Sequence, residues 1–193
     1  MKLNRAVRSI RTGDLVVYPT ETVYGLGADA LDPDAVERVY EAKGRARSKP
    51  LSMAVPDVET AARHTKLTEC ERGFMREFLP GPVTVVVEAG SEVPEELTAG
   101  RERVGIRIPD HDLALSLLRE VSPITATSAN VSGNPSVRRT ADLDPAIHEA
   151  VAGVLDGGET GGTESTVVDV ERGGIHRRGA LADEIETWLE AEQ

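Results

Sequence analysis

Leu15-Val-Val-Tyr18 is a run of apolar residues shut between Asp14 and Pro19. It is too short for a helix and has the composition of a buried strand. It is the first of a series. Leu51–Val55 is stopped by Pro56; Val83–Glu88, Val104–Ile108, Ile124–Ala126 and Val154–Leu155 read as further strands, and Thr166–Val170 and Ile175–Arg177 as a strand pair joined through Arg172-Gly173-Gly174. Between them lie stripes of helical period. Asp34–Ala42 carries Ala35, Val36, Val39 and Tyr40 on one side, with Pro33 as a start signal. Asn4–Arg11, Val58–His64, Thr68–Phe78, Asp112–Glu120, Ala146–Val151 and Leu181–Ala191 read as further helices. Strands and helices interleave without strict alternation. That predicts an α/β fold with a single twisted mixed β-sheet flanked by helices, not a doubly wound parallel sheet.

A chain of 193 residues suits one domain, so 1–193 is read as one unit. With 3% aromatic residues, the core has to be built from Val, Leu, Ile and Ala. The net charge is −11, and only four of the 22 basic residues are lysine (Lys2, Lys43, Lys49, Lys66). An acidic, lysine-poor surface is one way to stay hydrated at high salt, which points to a halophilic setting; an ordinary acidic cytosolic enzyme is the other reading. Both disfavour a broad nucleic-acid footprint, so nonspecific binding to a nucleic-acid backbone is not expected. Cys70 has no second cysteine to pair with and sits among Glu69, Glu71 and Arg72, as on a helix surface. His64, His111, His148 and His176 show no metal-ligand spacing, so no protein-held metal is expected. Met1–Arg11 is too polar for a signal peptide, and no apolar run approaches membrane-spanning length. A cytoplasmic protein without membrane contact follows as the expectation.

Chemistry concentrates in loop segments. Tyr18-Pro-Thr-Glu-Thr-Val-Tyr-Gly-Leu-Gly27 crowds Thr20, Glu21, Thr22 and Tyr24 beside two glycines after a strand. A turn whose hydroxyls cap the next element is the plainer alternative. Lys43-Gly-Arg-Ala-Arg-Ser-Lys-Pro50 places four cations in seven residues of an acidic chain. The C-terminus of a helix accounts for one or two of them; four suggest a site for phosphate or carboxylate. In Arg103-Val-Gly-Ile-Arg-Ile-Pro109 the two arginines project to one side of a strand, and Arg107 needs an anionic partner, a structural salt bridge being the simpler account. Thr125-Ala-Thr-Ser-Ala-Asn-Val-Ser-Gly133 offers small hydroxyls and an amide, and Glu164-Ser-Thr-Val-Val-Asp169 offers Ser165 and Thr166 after the glycine-rich Gly157–Gly162 turn. The P-loop, the dinucleotide fingerprint, the nucleophile elbow and the zincin motif are all missing from the sequence.

Together these segments resemble the YrdC-like family of threonylcarbamoyl-AMP synthases. The resemblance rests on Tyr18–Gly27, Lys43-x-Arg45 with Lys49-Pro50-Leu51, Gly81-Pro-Val-Thr84, Arg107-Ile-Pro109, Thr127-Ser-Ala-Asn130 with Ser132-Gly133, and Ser165-Thr-Val-Val-Asp169, in that order from about Leu15 to Gly179. It implies a twisted α/β sheet with a concave basic cleft. The implied reaction joins ATP, L-threonine and bicarbonate into threonylcarbamoyl-AMP and pyrophosphate, with Mg²⁺ bound through the substrate. A separate threonylcarbamoyl-transferase complex then takes the product to tRNA. The resemblance further implies catalytic roles for Lys43 and Arg45. It sets Thr20, Arg107, Ser128 and Ser165 at threonine, and Lys43, Arg45, Lys49, Asn130 and Arg177 at the nucleotide. Arg178 competes with Arg177 for the last position, Arg103 stands where the family often has a small hydroxyl residue, and Ala54 where many members have histidine. The single-domain form of the family is the expectation.

Such chemistry needs positioning and charge neutralisation more than a protein nucleophile. Arg45–Lys49 and Gly157–Gly162 are candidates for a loop that shields the carbamate from water. Two alternatives stay open: a carbamoyl-adenylate former acting on carbamoyl phosphate, and a non-catalytic nucleic-acid-binding module.

Overall fold

The computed structural model describes residues 1–192. Within these residues ten strands form one mixed sheet, which is the predicted fold class. They are β1 (Val16–Tyr18), β2 (Gly25–Gly27), β3 (Ser52–Ala54), β4 (Thr65–Lys66), β5 (Val83–Ala89), β6 (Arg103–Arg107), β7 (Ile124–Ser128), β8 (Gly153–Val154), β9 (Thr166–Asp169) and β10 (Gly174–Arg177). Their order across the sheet is β10-β9-β5-β6-β3-β7-β2-β1-β8, with β4 paired to β5. Parallel pairs (β1 with β8, β3 with β6, β5 with β9) are mixed with antiparallel ones.

Among the described residues, eight α-helices accompany the sheet: α1 (Leu3–Arg11), α2 (Pro33–Lys43), α3 (Val58–His64), α4 (Glu69–Phe78), α5 (Glu95–Thr98), α6 (Asp112–Glu120), α7 (Pro145–Ala150) and α8 (Ala182–Ala191). Their ends follow local chemistry. Asp32 caps α2 by accepting from Asp34 N–H, Pro33 opens it, and Gly44 closes it at φ 56°. Thr68 and Glu71 make a reciprocal capping box on α4, so Thr68, expected inside the helix, is its cap.

Strand periodicity divides the protein in two. Val83, Val85, Val87, Val104, Ile106, Met53 and Val168 point to one face, where they pack with Val36, Val39, Phe74, Met75 and Ile185 in the main core. The opposite face is covered only at its β1–β7 end. There Ala6, Val7 and Ile10 of α1 and Ala114, Leu117 and Leu118 of α6 close over Val16, Tyr18, Ala54 and Ile124. Over the rest of that face lies a cavity. No helix among the described residues is long and apolar enough to cross a membrane.

Two expectations need correction. Tyr18–Gly27 is not all loop: β2 pairs antiparallel with both β1 and β7. Its two glycines gave no apolar alternation to read, and a Cβ at Gly25 would stand 2.8 Å from the Tyr18 ring. The strand expected at Ile124–Ala126 runs on to Ser128, so Thr127 and Ser128 are strand residues. The two-residue β4, the short α5 and a 3₁₀ turn at Thr140–Asp142 carry too little pattern to be anticipated.

Candidate active site

The cavity holds about 670 Å³, and its floor is the uncovered face of the sheet. Residues two apart on each strand supply it: Val167 and Asp169 of β9, Thr84 and Val86 of β5, Arg103, Gly105 and Arg107 of β6, Ser52 of β3, Ala126 and Ser128 of β7. Thr84 pairs in register with Arg107, and Val86 and Ser52 with Gly105. Six arginines line it (Arg45, Arg101, Arg103, Arg107, Arg172, Arg177) against the acids Glu102, Glu164 and Asp169. In a chain of net charge −11 that concentration of cations is local.

Arg107 is buried. Its Nη1 donates to Gly81 O and, at 3.1 Å, to Val83 O; its Nη2 donates to Glu21 Oε1 at 2.7 Å and Thr22 Oγ1 at 3.3 Å. The expected structural salt bridge therefore exists, and the same side chain also faces the cavity. Burial lowers its pKa against the opposing pull of Glu21. Arg45 is held by Lys49 O at 3.1 Å and Pro50 O at 2.9 Å. Its pKa falls, mostly through burial, with Arg177 adding to the effect. Arg177 depresses Arg107 as well, so its charge is felt by both of these guanidiniums.

Thr20 and Ser165 also stand on the wall. Thr20 Oγ1 sits 2.9 Å from Thr22 Oγ1 and accepts from the Val23 N–H, in a turn that fixes the hydroxyls. Ser165 Oγ accepts from Arg177 Nη2 at 2.9 Å and lies 3.3 Å from Thr84 Oγ1. Arg178 turns outward to Asp183 and Glu186, which leaves Arg177 as the cleft residue. The Gly157–Gly162 segment is fastened across the Thr20–Tyr24 turn: Gly161 N–H donates to Glu21 O, Gly162 N–H to Thr22 O, and Gly157 N–H to Tyr24 Oη.

Three expected residues are not on the cavity wall. Lys43 is 1% exposed, and its Nζ donates to the backbone oxygens of Ser128 and, at 2.7 Å, Asn130. Burial, with Arg45 adding to it, lowers its pKa to about 8. It ties the end of α2 to the end of β7 instead of reaching into the cleft. Asn130 Nδ2 donates to Val131 O and Asn134 O, and its Oδ1 finds no partner among the described residues. Lys49 is exposed and holds Arg45 and Tyr40 through its carbonyl.

Thr84, Arg101, Arg172 and His176 line the cavity without having been singled out as site residues. Strand period alone would have found Thr84, given its register with Arg107; Arg172 and His176 come from a hairpin whose placement no local pattern discloses. Arg103 is gripped by Glu71 at 3.2 Å, Asp169 at 3.1 Å, Glu171 and Val86 O. Burial opposes its charge, but Glu171, Asp169 and Glu71 outweigh burial and raise its pKa. Ala54 is fully buried beneath α1 and α6, so the side chain at that position takes part in packing.

The family model Sua5/YciO/YrdC, described as telomere recombination, matches residues 8–179. A threonylcarbamoyl-AMP synthase of Bacillus subtilis is 42% identical over 171 residues, covering 86% of this chain and 49% of the relative. The crystal structure of Pyrococcus abyssi Sua5 complexed with L-threonine superposes with a TM-score of 0.88 at 39% identity, covering 96% of this chain and 56% of that one. The crystal structure of Escherichia coli YciO gives 0.81 at 26% identity, covering 92% and 89%. The chain thus spans about half the length of the first curated relatives it matches.

Proposed function

The chain belongs to the Sua5/YciO/YrdC family, and from that premise we propose that it makes threonylcarbamoyl-AMP and pyrophosphate from ATP, L-threonine and bicarbonate. The observation that carries this reading is the meeting of Arg45, Arg107 and Arg177 with Thr20, Ser128 and Ser165 in one cavity of an otherwise acidic chain. The threonine amine, having lost its ammonium proton, adds to bicarbonate with loss of water to give a carbamate. A carbamate oxygen then bonds to the α-phosphorus of ATP while the bond to the bridging oxygen breaks and pyrophosphate leaves. That is nucleotidyl transfer, and it needs no protein nucleophile.

Arg107, Thr20, Ser128 and Ser165 bind threonine in this proposal. Arg45 and Arg177 take the triphosphate, where they neutralise the charge gathered on the leaving pyrophosphate. Lys43 and Asn130 act from behind the wall, Lys43 by fixing the backbone that presents Ser128. Lys49 reaches the phosphates only through movement of the Arg45–Lys49 turn. The described residues include no cluster of His, Cys, Asp and Glu suited to a metal ion; Mg²⁺ enters the proposed reaction as part of the substrate, on the ATP phosphates. The product passes to a threonylcarbamoyl-transferase complex that modifies tRNA, without tRNA binding by this acidic chain. A cytoplasmic location goes with ATP and tRNA as the reaction's setting.

The test is pyrophosphate release from ATP with bicarbonate, with and without threonine. Release that depends on threonine supports the reading; release with carbamoyl phosphate and indifference to threonine sinks it.

A further inference from the structure

Lys2, Arg5, Arg8 and Arg11 recur three apart along α1 and its N-cap. Ala6, Val7 and Ile10 turn to the core, which leaves all four cations exposed on the other side. No acidic residue stands in α1. Arg11 Nη2 donates to Glu120 O at 2.8 Å and so fastens α1 to the end of α6, where Arg119 adds a fifth exposed cation. None of the five makes an ion pair among the described residues, whereas the exposed Arg47, Arg138, Arg139, Arg172 and Arg178 each reach a carboxylate within 4.0 Å. Arg38, Arg63 and Arg76 are unpaired too, but they lie on three different helices.

Part of this pattern serves the helix. Arg8 and Arg11 lie in its last turn, where the helix dipole favours positive charge. Lys2 and Arg5 lie at the other end, where it does not, and like charges three apart repel one another. Among the described helices, α1 alone lacks both an acid in its first turn and a side-chain cap. Helix stability alone would place an acid there; these cations weaken the helix that carries them. In a chain of net charge −11, such a concentration outside the cleft calls for an anionic partner.

The patch is about 13 Å long, the length of α1, and that limits the partner. A nucleic acid extends beyond it in both directions, so its flanking phosphates would lie over acidic surface. A membrane gains no apolar insertion, because the apolar side of α1 is already packed against α6 and the sheet. A short run of carboxylates on a folded protein ends where the cations end, and arginine forks match carboxylates in geometry. We propose that the exposed side of α1, with Arg119, docks a second protein through such a run of aspartate and glutamate. α1 covers the same face of the sheet as the cavity, so the docked protein sits beside the cleft, placed to take what the cleft releases. This goes beyond the reaction above and does not depend on it.

Fluorescence anisotropy of a labelled peptide of about fifteen glutamates, at about 50 mM salt where surface charge is weakly screened, tests this on the full chain. Changing Lys2, Arg5, Arg8 and Arg11 together to glutamine should weaken binding by about tenfold or more. Arg45→Gln with Arg177→Gln, which removes charge from the cleft, should leave it within about twofold. Arg5→Glu alone should also weaken binding while it raises the melting temperature by about 2 °C, since it sets an acid in the first turn. A fall in melting temperature would make Arg5 a structural cation and overturn its docking role. No binding by the unaltered chain, or binding lost with the cleft substitutions instead, overturns the proposal. So does tighter binding of unmodified tRNA or of phosphatidylglycerol vesicles through the same four residues, which would make the partner a nucleic acid or a membrane.

Discussion

Glu21 Oε1 lies 2.7 Å from Arg107 Nη2, and this pair closes a set of contacts in which all four terminal N–H groups of Arg107 are already engaged inside the protein. Only Nε–H is left for a ligand. An incoming carboxylate therefore meets an arginine whose charge is matched and whose fork is occupied. Glu21→Gln keeps an acceptor for Arg107 but removes the matching charge. The threonine KM should fall severalfold while the melting temperature drops; an unchanged KM argues against contact between Arg107 and the threonine carboxylate.

Arg107→Ala leaves Glu21 without its partner and strips the donors from Gly81 O and Val83 O. Loss of one member of a buried ion pair costs about 3–5 kcal/mol. Chemical denaturation should record a loss of that size, together with loss of threonine-dependent turnover. A stable Arg107→Ala protein with normal turnover would remove the residue from both roles.

The buried ammonium of Lys43 has a defined pH signature. Its folded pKa is about 8, below the ordinary value of 10.5. Below pH 8 both folded and unfolded states carry the charge, and burial of it is unfavourable. Between pH 8 and 10.5 the folded state gives up the proton while the unfolded state keeps it, so stability from this residue rises with pH, by up to about 3 kcal/mol. Unfolding free energies of the unaltered chain and of Lys43→Met, measured from pH 7 to 10, should move apart in favour of the unaltered chain above pH 8. Parallel curves would mean that the ammonium is not confined as described.

Gly105→Ala puts a methyl group against Ser52 Oγ and Thr84 Cγ2 in the middle of the cavity floor. Because these are side chains on a strand surface, the strand itself can stay in place while the floor rises. We expect the KM for ATP to increase by roughly tenfold, equivalent to about 1.4 kcal/mol, with little change in thermal stability. A stability loss without a change in KM would relocate the role of Gly105 to sheet packing alone.

Adjacent arginines separate cleft from surface. Arg177 bonds Ser165 O and Oγ and lines the cavity, whereas Arg178 pairs with Asp183 and Glu186 at the surface. Arg177→Ala should raise the KM for ATP and disturb the Ser165 hydroxyl, while Arg178→Ala leaves turnover within about twofold, as for surface changes generally. Steady-state kinetics on both variants decides between them.

Much of this fold was legible because short apolar runs and helical stripes declare themselves locally: Val58–His64 and Asp112–Glu120 have the bounds expected of them. Gly25–Gly27 escaped because a strand's signature is its side chains and two of these residues have none. The cleft was legible as a set of segments but not as a set of atoms. Lys43 belongs to a cation-rich segment, yet at the end of α2 its side chain meets the carbonyls of Ser128 and Asn130 before it can reach the cavity. Asp169 falls inside the run Thr166–Val170 read as a strand, and only the hairpin of β9 and β10, together with β6, gives it neighbours that explain a buried charge.

The half-covered sheet has one more implication. Along β5 and β6, odd and even positions answer to different constraints: Val85 and Ile106 must fill space, while Thr84, Val86, Gly105 and Arg107 must present a surface. Chemistry and cohesion are thus written on alternate letters of the same text. A library that varies Thr84, Val86 and Gly105 and spares Arg107, whose bonds to Glu21, Gly81 and Val83 also hold the fold, explores new ligands at modest risk to folding, and one that varies their neighbours does the reverse.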